Sequence, residues 1–430
     1  MTKVLKGDIC YQNSPTGFIT IKSGFLVVKE GKISDVSHKF PSYLLPGSYE
    51  YYDYENKLIV PGLSDTHLHA PQNAFRGTGM DAELIDWLNK YAFSEEKKYA
   101  DEVYARKAYE IFADELKQSA TTRACVFATV HKKATLVLAD ALEKSGLKCM
   151  VGKVNMDRNC PDFLCETVGR SASDTEEFIE KINDYENVSP ILTPRFTPSC
   201  TPELLSALEE LQIKYDLPVQ SHLSENLSEI SLVTALHPET KFYAETYDNF
   251  GLFGRSKKGN PVKTVMAHCV WSGDDEIALM KKNGVYIAHS PLSNLNLSSG
   301  IAPVRKYLDA GLNVTLSSDV AGGHTKSMFS VIVGAVQASK MYWRLVDSTY
   351  KPITFAEAFY MATVKGGEFF GKVGKFEKDY DADILVLDDS VLRSVDVLPE
   401  QARLERFVYL NGDLKTGGIF AKFVCGEKII

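Results

Sequence analysis

The chain has 430 residues, 44% hydrophobic and 24% charged, with a formal net charge of −8, a composition that suits a globular enzyme and excludes a disordered chain. No long Lys/Arg run or basic stripe gives an electrostatic reason to expect nucleic acid, and no apolar stretch approaches the roughly 18 residues of a membrane helix. MTKVLKGDIC lacks the apolar core of a secretory signal, and the eight scattered cysteines form no CxxC pair, so the expectation is a cytoplasmic protein with reduced thiols that handles small molecules.

In chain order, residues 18–37 read as short β-type runs broken at Gly31, and the pattern returns at the far end in ADILVLDD (382–389) and GGIFAKFVCGEKII (417–430). Neither end carries enough apolar surface for a stable sheet of its own. The economical expectation is one small β-sandwich built from both ends, residues 1–60 and 371–430, flanking a unit over 61–370.

That middle unit alternates. Apolar runs suited to buried strands occur at 63–69, 121–128, 147–154, 190–196, 218–222, 264–268, 285–289 and 313–319. Helical patterns fall between them. One is Ser94–Ala120; another starts at Thr201-Pro202 and puts Leu204, Leu205, Leu208 and Leu211 on one face. Asp274–Asn283 stops at Gly284, and Pro303–Ala310 stops at Gly311. Eight strands alternating with helices predict an α/β fold, a parallel (β/α)8 barrel. An open doubly wound sheet would alternate in the same way, but no GxGxxG follows the first strand.

Residue placement favours the barrel. His67, His69, Arg195, His222, His268, His289 and Asp319 all fall at C-terminal ends of the proposed strands, where a barrel gathers its active site. His67 and His69 are two apart on a strand, so both imidazoles project from one face. A lone HxH is usually structural; here five of the nine histidines sit at strand ends. Neutral imidazoles with one carboxylate suit Zn²⁺, although Fe²⁺, Mn²⁺ and Co²⁺ accept similar ligands. Arg195 stands on the fourth strand where a two-metal site would want a bridging group, so one ion per chain is expected. His268 then supports the ligands from behind or faces the oxygen that gains charge, near the metal without necessarily binding it. Glu225, three residues after His222 at a strand-to-helix turn, is either a proton carrier or an acid favoured at a helix start. His289, in AHSPLSNLNLSSG, lines a pocket or orders a turn. His131 reads as a surface residue, and His38, His237 and His324 show no partner, although His324 follows Asp319 closely enough to contact a substrate.

At this point the residues resemble a known family. PGLSDTHLHAPQ (61–72), QSHLSEN (220–226), TVMAHCV (264–270), IAHSPLSNLNLSSG (287–300) and TLSSDVAGG (315–323) are similar to the amidohydrolase superfamily. HAPQ (69–72), AFRGTGMD (74–81), DWLNKYAFSEE (86–96) and RFTPSCTPELL (195–205) resemble its guanine deaminase family. The resemblance implies a metal-bearing barrel with a β-sandwich, commonly a homodimer, that hydrolyses guanine to xanthine and ammonia with zinc. Carried over, it makes His67, His69, His222 and Asp319 the zinc ligands, and Glu225 the proton shuttle. Gln72, Arg195 and Phe196 would contact the purine, alongside the metal-site residues His69, His222, Glu225 and Asp319. Arg195 offers donors to the O6 and N7 edge and Gln72 one donor and one acceptor; Phe196 or Phe75 would stack on the ring or pack in the core.

The implied chemistry has zinc-bound hydroxide attacking C2, its proton taken by Glu225 or Asp319. Glu225 protonates a ring nitrogen, and His268 and zinc stabilise the adduct before ammonia leaves. Pro71 and Ser290 stand where family members often differ, and neither is an expected ligand. The H-x-E and P-C-x-x-C signature of the other zinc deaminases is absent. Rival readings are an amidohydrolase acting on a triazine, pyrimidine or adenine-type ring, and an inactive scaffold relative.

Overall fold

The computed structural model describes residues 1–410 and 418–430. Eight parallel strands form the centre. β5 (Leu63–His69), β6 (Thr121–Phe127), β7 (Lys148–Gly152) and β9 (Val188–Pro190) pair in one row. β11 (Val219–Leu223), β12 (Thr264–His268), β13 (Tyr286–His289) and β14 (Asn313–Leu316) form the second. The rows meet at both edges. Gln220 N donates to Leu192 O at 2.9 Å on one side, and Asp319 N donates to His67 O at 3.0 Å on the other. The sheet is therefore closed into a (β/α)8 barrel, with the short pair β8 (Val154–Asn155) and β10 (Thr193–Pro194) extending two of its strands at the rim.

Strands covered on both faces read as continuous apolar runs, and β5, β6 and β12 are buried at every position. Cys125, Ile191, Val265, Ala288 and Phe369 fill part of the interior. The helices follow their caps. Thr201 accepts from Leu204 N at 3.2 Å and starts Pro202–Tyr215; Asp274–Asn283 ends at Gly284 in the left-handed region. The expected Ser94–Ala120 helix is broken: Asp101 is extended, and its side chain caps a new helix, Glu102–Gln118.

Both chain ends share one seven-stranded sheet, in the order β17-β16-β15-β4-β1-β2-β3. β1 (Thr2–Ser14), β2 (Gly17–Lys29), β3 (Lys32–Ser37) and β4 (Tyr49–Pro61) come from the N-terminal end. The other end gives β15 (Ile384–Leu387), β16 (Ile419–Val424) and β17 (Glu427–Lys428). Of the expected run 417–430, Gly417 lies outside the described residues. β4 pairs with β15 and so joins the two ends, while Ile33 N donates to Tyr380 O at 2.7 Å. The expected sandwich is thus one sheet folded over its own core of Leu5, Ile9, Leu26, Ile59, Ile384 and Phe423. Buried Arg123 on β6 fastens it to the barrel through Asp383 at 2.7 Å. Among the described residues no helix is long and apolar enough to cross a membrane.

Candidate active site

The C-terminal mouth of the barrel collects the strand-end residues. β5 is pinned to β14 by Thr66, whose hydroxyl lies 2.7 Å from that of Thr315, and by Asp65, which accepts from Ser318 N at 2.9 Å. His67 and His69, two apart on β5, project together from the face opposite Thr66, and their rings meet edge to face at 4.9 Å between centroids. Asp319 is held in the left-handed region, φ 45°, and His268 likewise at φ 72°. That conformation is costly for residues with a Cβ and gathers at functional sites.

Four side chains converge, His67, His69 and Asp319 buried and His222 partly exposed. His69 Nε2 lies 3.2 Å from His222 Nε2. Asp319 Oδ1 lies 3.1 Å from His67 Nε2 and 3.6 Å from His69 Nε2. The nitrogen of His67 that faces Asp319 has no hydrogen bond. His222 Nδ1 is 2.6 Å from the carbonyl of Arg195, which leaves a proton on Nδ1 and a lone pair on Nε2. Burial lowers the pKa of His67, His69 and His222 and keeps them neutral. Burial alone would raise Asp319, but His67, His268 and His69 outweigh it and hold the carboxylate well below its usual range. Neutral imidazole nitrogens converging beside a carboxylate form a donor set that a divalent cation satisfies. His67, His69 and Asp319 lie close enough together to hold a metal ion, as do His67, His222 and His268.

Glu225 and His268 stand beside this cluster. Glu225 Oε2 is 3.4 Å from His268 Nε2, and His268 Nε2 is 3.7 Å from Asp319 Oδ2. Burial pushes the Glu225 carboxyl up to about 7, although His268 and the Ser299 hydroxyl, 2.9 Å from Oε1, both pull it down. Burial opposes charge on His268, but Glu225 and Asp319 raise its pKa on balance. The alternative reading of Glu225 as a helix-start acid is filled by other residues. Asn226 caps Leu227–Leu236 and Glu229 closes its capping box.

The cavity above the cluster holds about 420 Å³ of space, part of it open to solvent. Gln72, Arg195 and Phe196 line it together with His69, His222, Glu225, His268 and Asp319. Leu84, Trp87, Leu88, Leu297 and Gly322 complete the walls. Phe196 is partly exposed there. Phe75 instead packs on Trp87 at 5.4 Å, outside the lining.

Some expectations shift. His131 is partly exposed, with its Nε2 shielded and without a hydrogen bond. His289 is 1% exposed with neither nitrogen hydrogen-bonded, and burial drives its pKa down to about 3. His237 pairs with Glu239 at 3.0 Å, and His324 is exposed beside Asn296. The sequence reading missed Ser299 at Glu225 and Asn294, whose Oδ1 lies 2.8 Å from His268 Nδ1. It also missed Glu96, buried between Gln72 and Arg195. All three lie inside quoted motifs, which was the available signal.

Known proteins are similar to this chain over most of its length. A guanine deaminase of Dictyostelium discoideum is 39% identical over 386 residues, covering 88% of this chain and 83% of that one. The guanine deaminase of Escherichia coli is 33% identical over 413 residues, 95% of this chain and 88% of its own. The crystal structure of a guanine deaminase from C. acetobutylicum with guanine in its active site matches all of both chains, with a TM-score of 0.95 and 47% identity. The model of the Amidohydrolase family matches residues 58–422, from β4 through the whole barrel to β16, so the chain belongs to the amidohydrolase family.

Proposed function

We propose that this protein hydrolyses guanine to xanthine and ammonia, with one zinc ion held by His67, His69, His222 and Asp319. The observation that carries the reading is the meeting, in one cavity, of a metal-type donor set with a purine-sized wall of hydrogen-bonding groups, Gln72 and Arg195, beside the ring of Phe196. When bound, the ion acidifies water and stabilises negative charge developing on oxygen.

The chain's own residues do the rest. Arg195 and Gln72 hold the carbonyl edge of the ring, and Phe196 packs against its face, which directs C2 and its amino group toward Glu225. The carboxylate of Glu225 takes a proton from the attacking water as the C2–O bond forms, and passes it to a ring nitrogen. His268, protonated between Glu225 and Asp319, donates to the oxygen that gains charge. Glu225 then takes the second proton of the added oxygen and delivers it to the amino group, and the C2–N bond breaks to release ammonia. A carboxyl group with a pKa of about 7 suits both directions of transfer near neutral pH.

The reading extends, on the family resemblance, to a homodimer acting in the cytoplasm, which sedimentation velocity and cell fractionation test. The reaction itself is tested by incubating purified, zinc-loaded protein with guanine. Ammonia and xanthine should form in equal amounts, and a chelator should stop them. A protein that binds zinc but leaves guanine intact would direct attention to triazine, pyrimidine or adenine-type rings, and one that binds no metal would favour a scaffold.

A further inference from the structure

Glu96 is the least expected charge in the molecule. It lies in the short helix Phe93–Glu96, within a stretch rich in Glu and Lys, yet it is 1% exposed. Its neighbour Glu95 turns the other way, to Lys98 at 2.6 Å and to the Tyr104 hydroxyl. Glu96 turns into the wall of the cavity. Its Oε1 accepts from Gln72 Nε2 at 3.0 Å, and Oε2 and Oε1 lie 2.7 and 3.0 Å from Arg195 Nη1. Phe93 lies under the guanidinium, 5.1 Å from ring centroid to Cζ. The segment is anchored beside the site by Tyr99, whose hydroxyl donates to Pro71 O at 2.8 Å.

An ionised carboxylate only accepts hydrogen bonds. Glu96 therefore fixes which way the Gln72 amide points, because the flipped amide would set oxygen against oxygen. Ala321 N donates to Gln72 Oε1 at 3.2 Å and enforces the same orientation from the other side. Both contacts to Arg195 use Nη1, and among the described residues Nε and Nη2 carry no hydrogen bond. What this wall turns toward a ligand is thus a set of N–H donors in fixed positions.

We propose that Glu96 is a positioning residue for purine recognition: it locks Gln72 and Arg195 into a donor array that selects a ring carrying a carbonyl oxygen at position 6. This rests on the guanine reading and deepens it. Glu96 does not touch the ring; it acts through the two side chains that do. An oxygen at position 6 completes the array, whereas an amino group there sets donor against donor, and a ring without the substituent leaves the donors unpaired.

The test compares wild type with Glu96→Gln, which keeps the shape and removes the charge, measuring kcat and KM for guanine and the inhibition constant of 2-aminopurine, the same ring without the 6-oxo group. Losing well-placed hydrogen bonds from a charged donor weakens binding by roughly tenfold to a hundredfold, so the guanine KM should rise by about that factor, kcat should fall much less, and the 2-aminopurine constant should stay within about twofold. Glu96→Asp retains the charge on a shorter arm that cannot reach both partners, and should show the same KM-selective loss even if Glu96→Gln does not fold. Equal losses for guanine and 2-aminopurine, or an unchanged guanine KM in an active variant, would overturn the role of Glu96 and leave the guanine reading intact. A wild type that releases no ammonia from guanine would overturn both.

Discussion

The Nδ1 atom of His222 lies 2.6 Å from the backbone carbonyl of Arg195. That contact ties the donor cluster at the barrel mouth to the wall of the cavity. The carbonyl of a residue proposed to hold the substrate sets the tautomer of one proposed to hold the metal, so the two halves of the site are positioned together. Replacing His222 by Ala removes a proposed ligand and this tie at once. Bound zinc after dialysis should fall, and ammonia release should drop by more than about a hundredfold. Metal analysis by mass spectrometry beside the activity assay checks this; a variant keeping full zinc and full activity would remove His222 from the ligand set.

Glu225→Gln separates the proposed proton carrier from the proposed metal site. General acid–base transfer is worth about 10²–10⁴ in rate, so kcat should fall within that range while zinc content stays at one per chain. Loss of zinc along with activity would make Glu225 a structural part of the metal site instead.

Ser299 provides a finer probe. Its hydroxyl donates to Glu225 Oε1 at 2.9 Å in a buried setting. A hydrogen bond to a charged group contributes about 1.5–3 kcal/mol, so Ser299→Ala should lower kcat by roughly tenfold to a hundredfold with little change in the guanine KM. Steady-state kinetics reads the split, and an effect on KM alone would place Ser299 at the substrate and not at Glu225.

Away from the site, Lys422 on β16 is fully buried, with its Nζ 3.0 Å from Thr121 O and against Lys117 O. Burial lowers its pKa from 10.5 to about 7. Between pH 7 and 10.5 the unfolded chain holds this proton and the folded chain releases it, so stability from this group rises with pH across that window and its penalty is complete below pH 7. Wild-type Tm should therefore gain on that of Lys422→Met as the pH is raised from 7 to 10. A gap independent of pH would show that the carbonyls keep the ammonium charged.

The barrel was legible because most of its strands are buried on both faces and read as largely apolar runs, several of them closing in a polar residue at the mouth. The HxH pair, His222, His268 and Asp319 stood out for the same reason: polar residues closing apolar strands need a purpose. β1 and β4 were not legible. Lys3 is buried within β1, where it bonds Gly426 O at 2.7 Å, and the first half of β4 mixes tyrosines with acids and is largely exposed or partly exposed, so neither shows a clean period of two. Asp101 looked like one more acid in a charged helix, because capping is decided by backbone direction and not by composition. Glu96 stayed hidden for a related reason. A glutamate among lysines is ordinarily solvated, and only the fold shows that this one turns inward to a guanidinium brought from about a hundred residues away. The polar residues of 289–300 divided in the same manner: Asn294 and Ser299 meet His268 and Glu225, while His289 is buried without a hydrogen bond.

The most direct test of the account is a side-by-side assay of ammonia release from guanine, adenine and a triazine by the zinc-loaded protein, with the product from guanine identified by its ultraviolet spectrum. The account predicts rapid, chelator-sensitive conversion of guanine to xanthine, with the other two rings slower by at least about a hundredfold, since a site built to bond a ring oxygen rejects analogues lacking it. Faster release from adenine or the triazine than from guanine would contradict it.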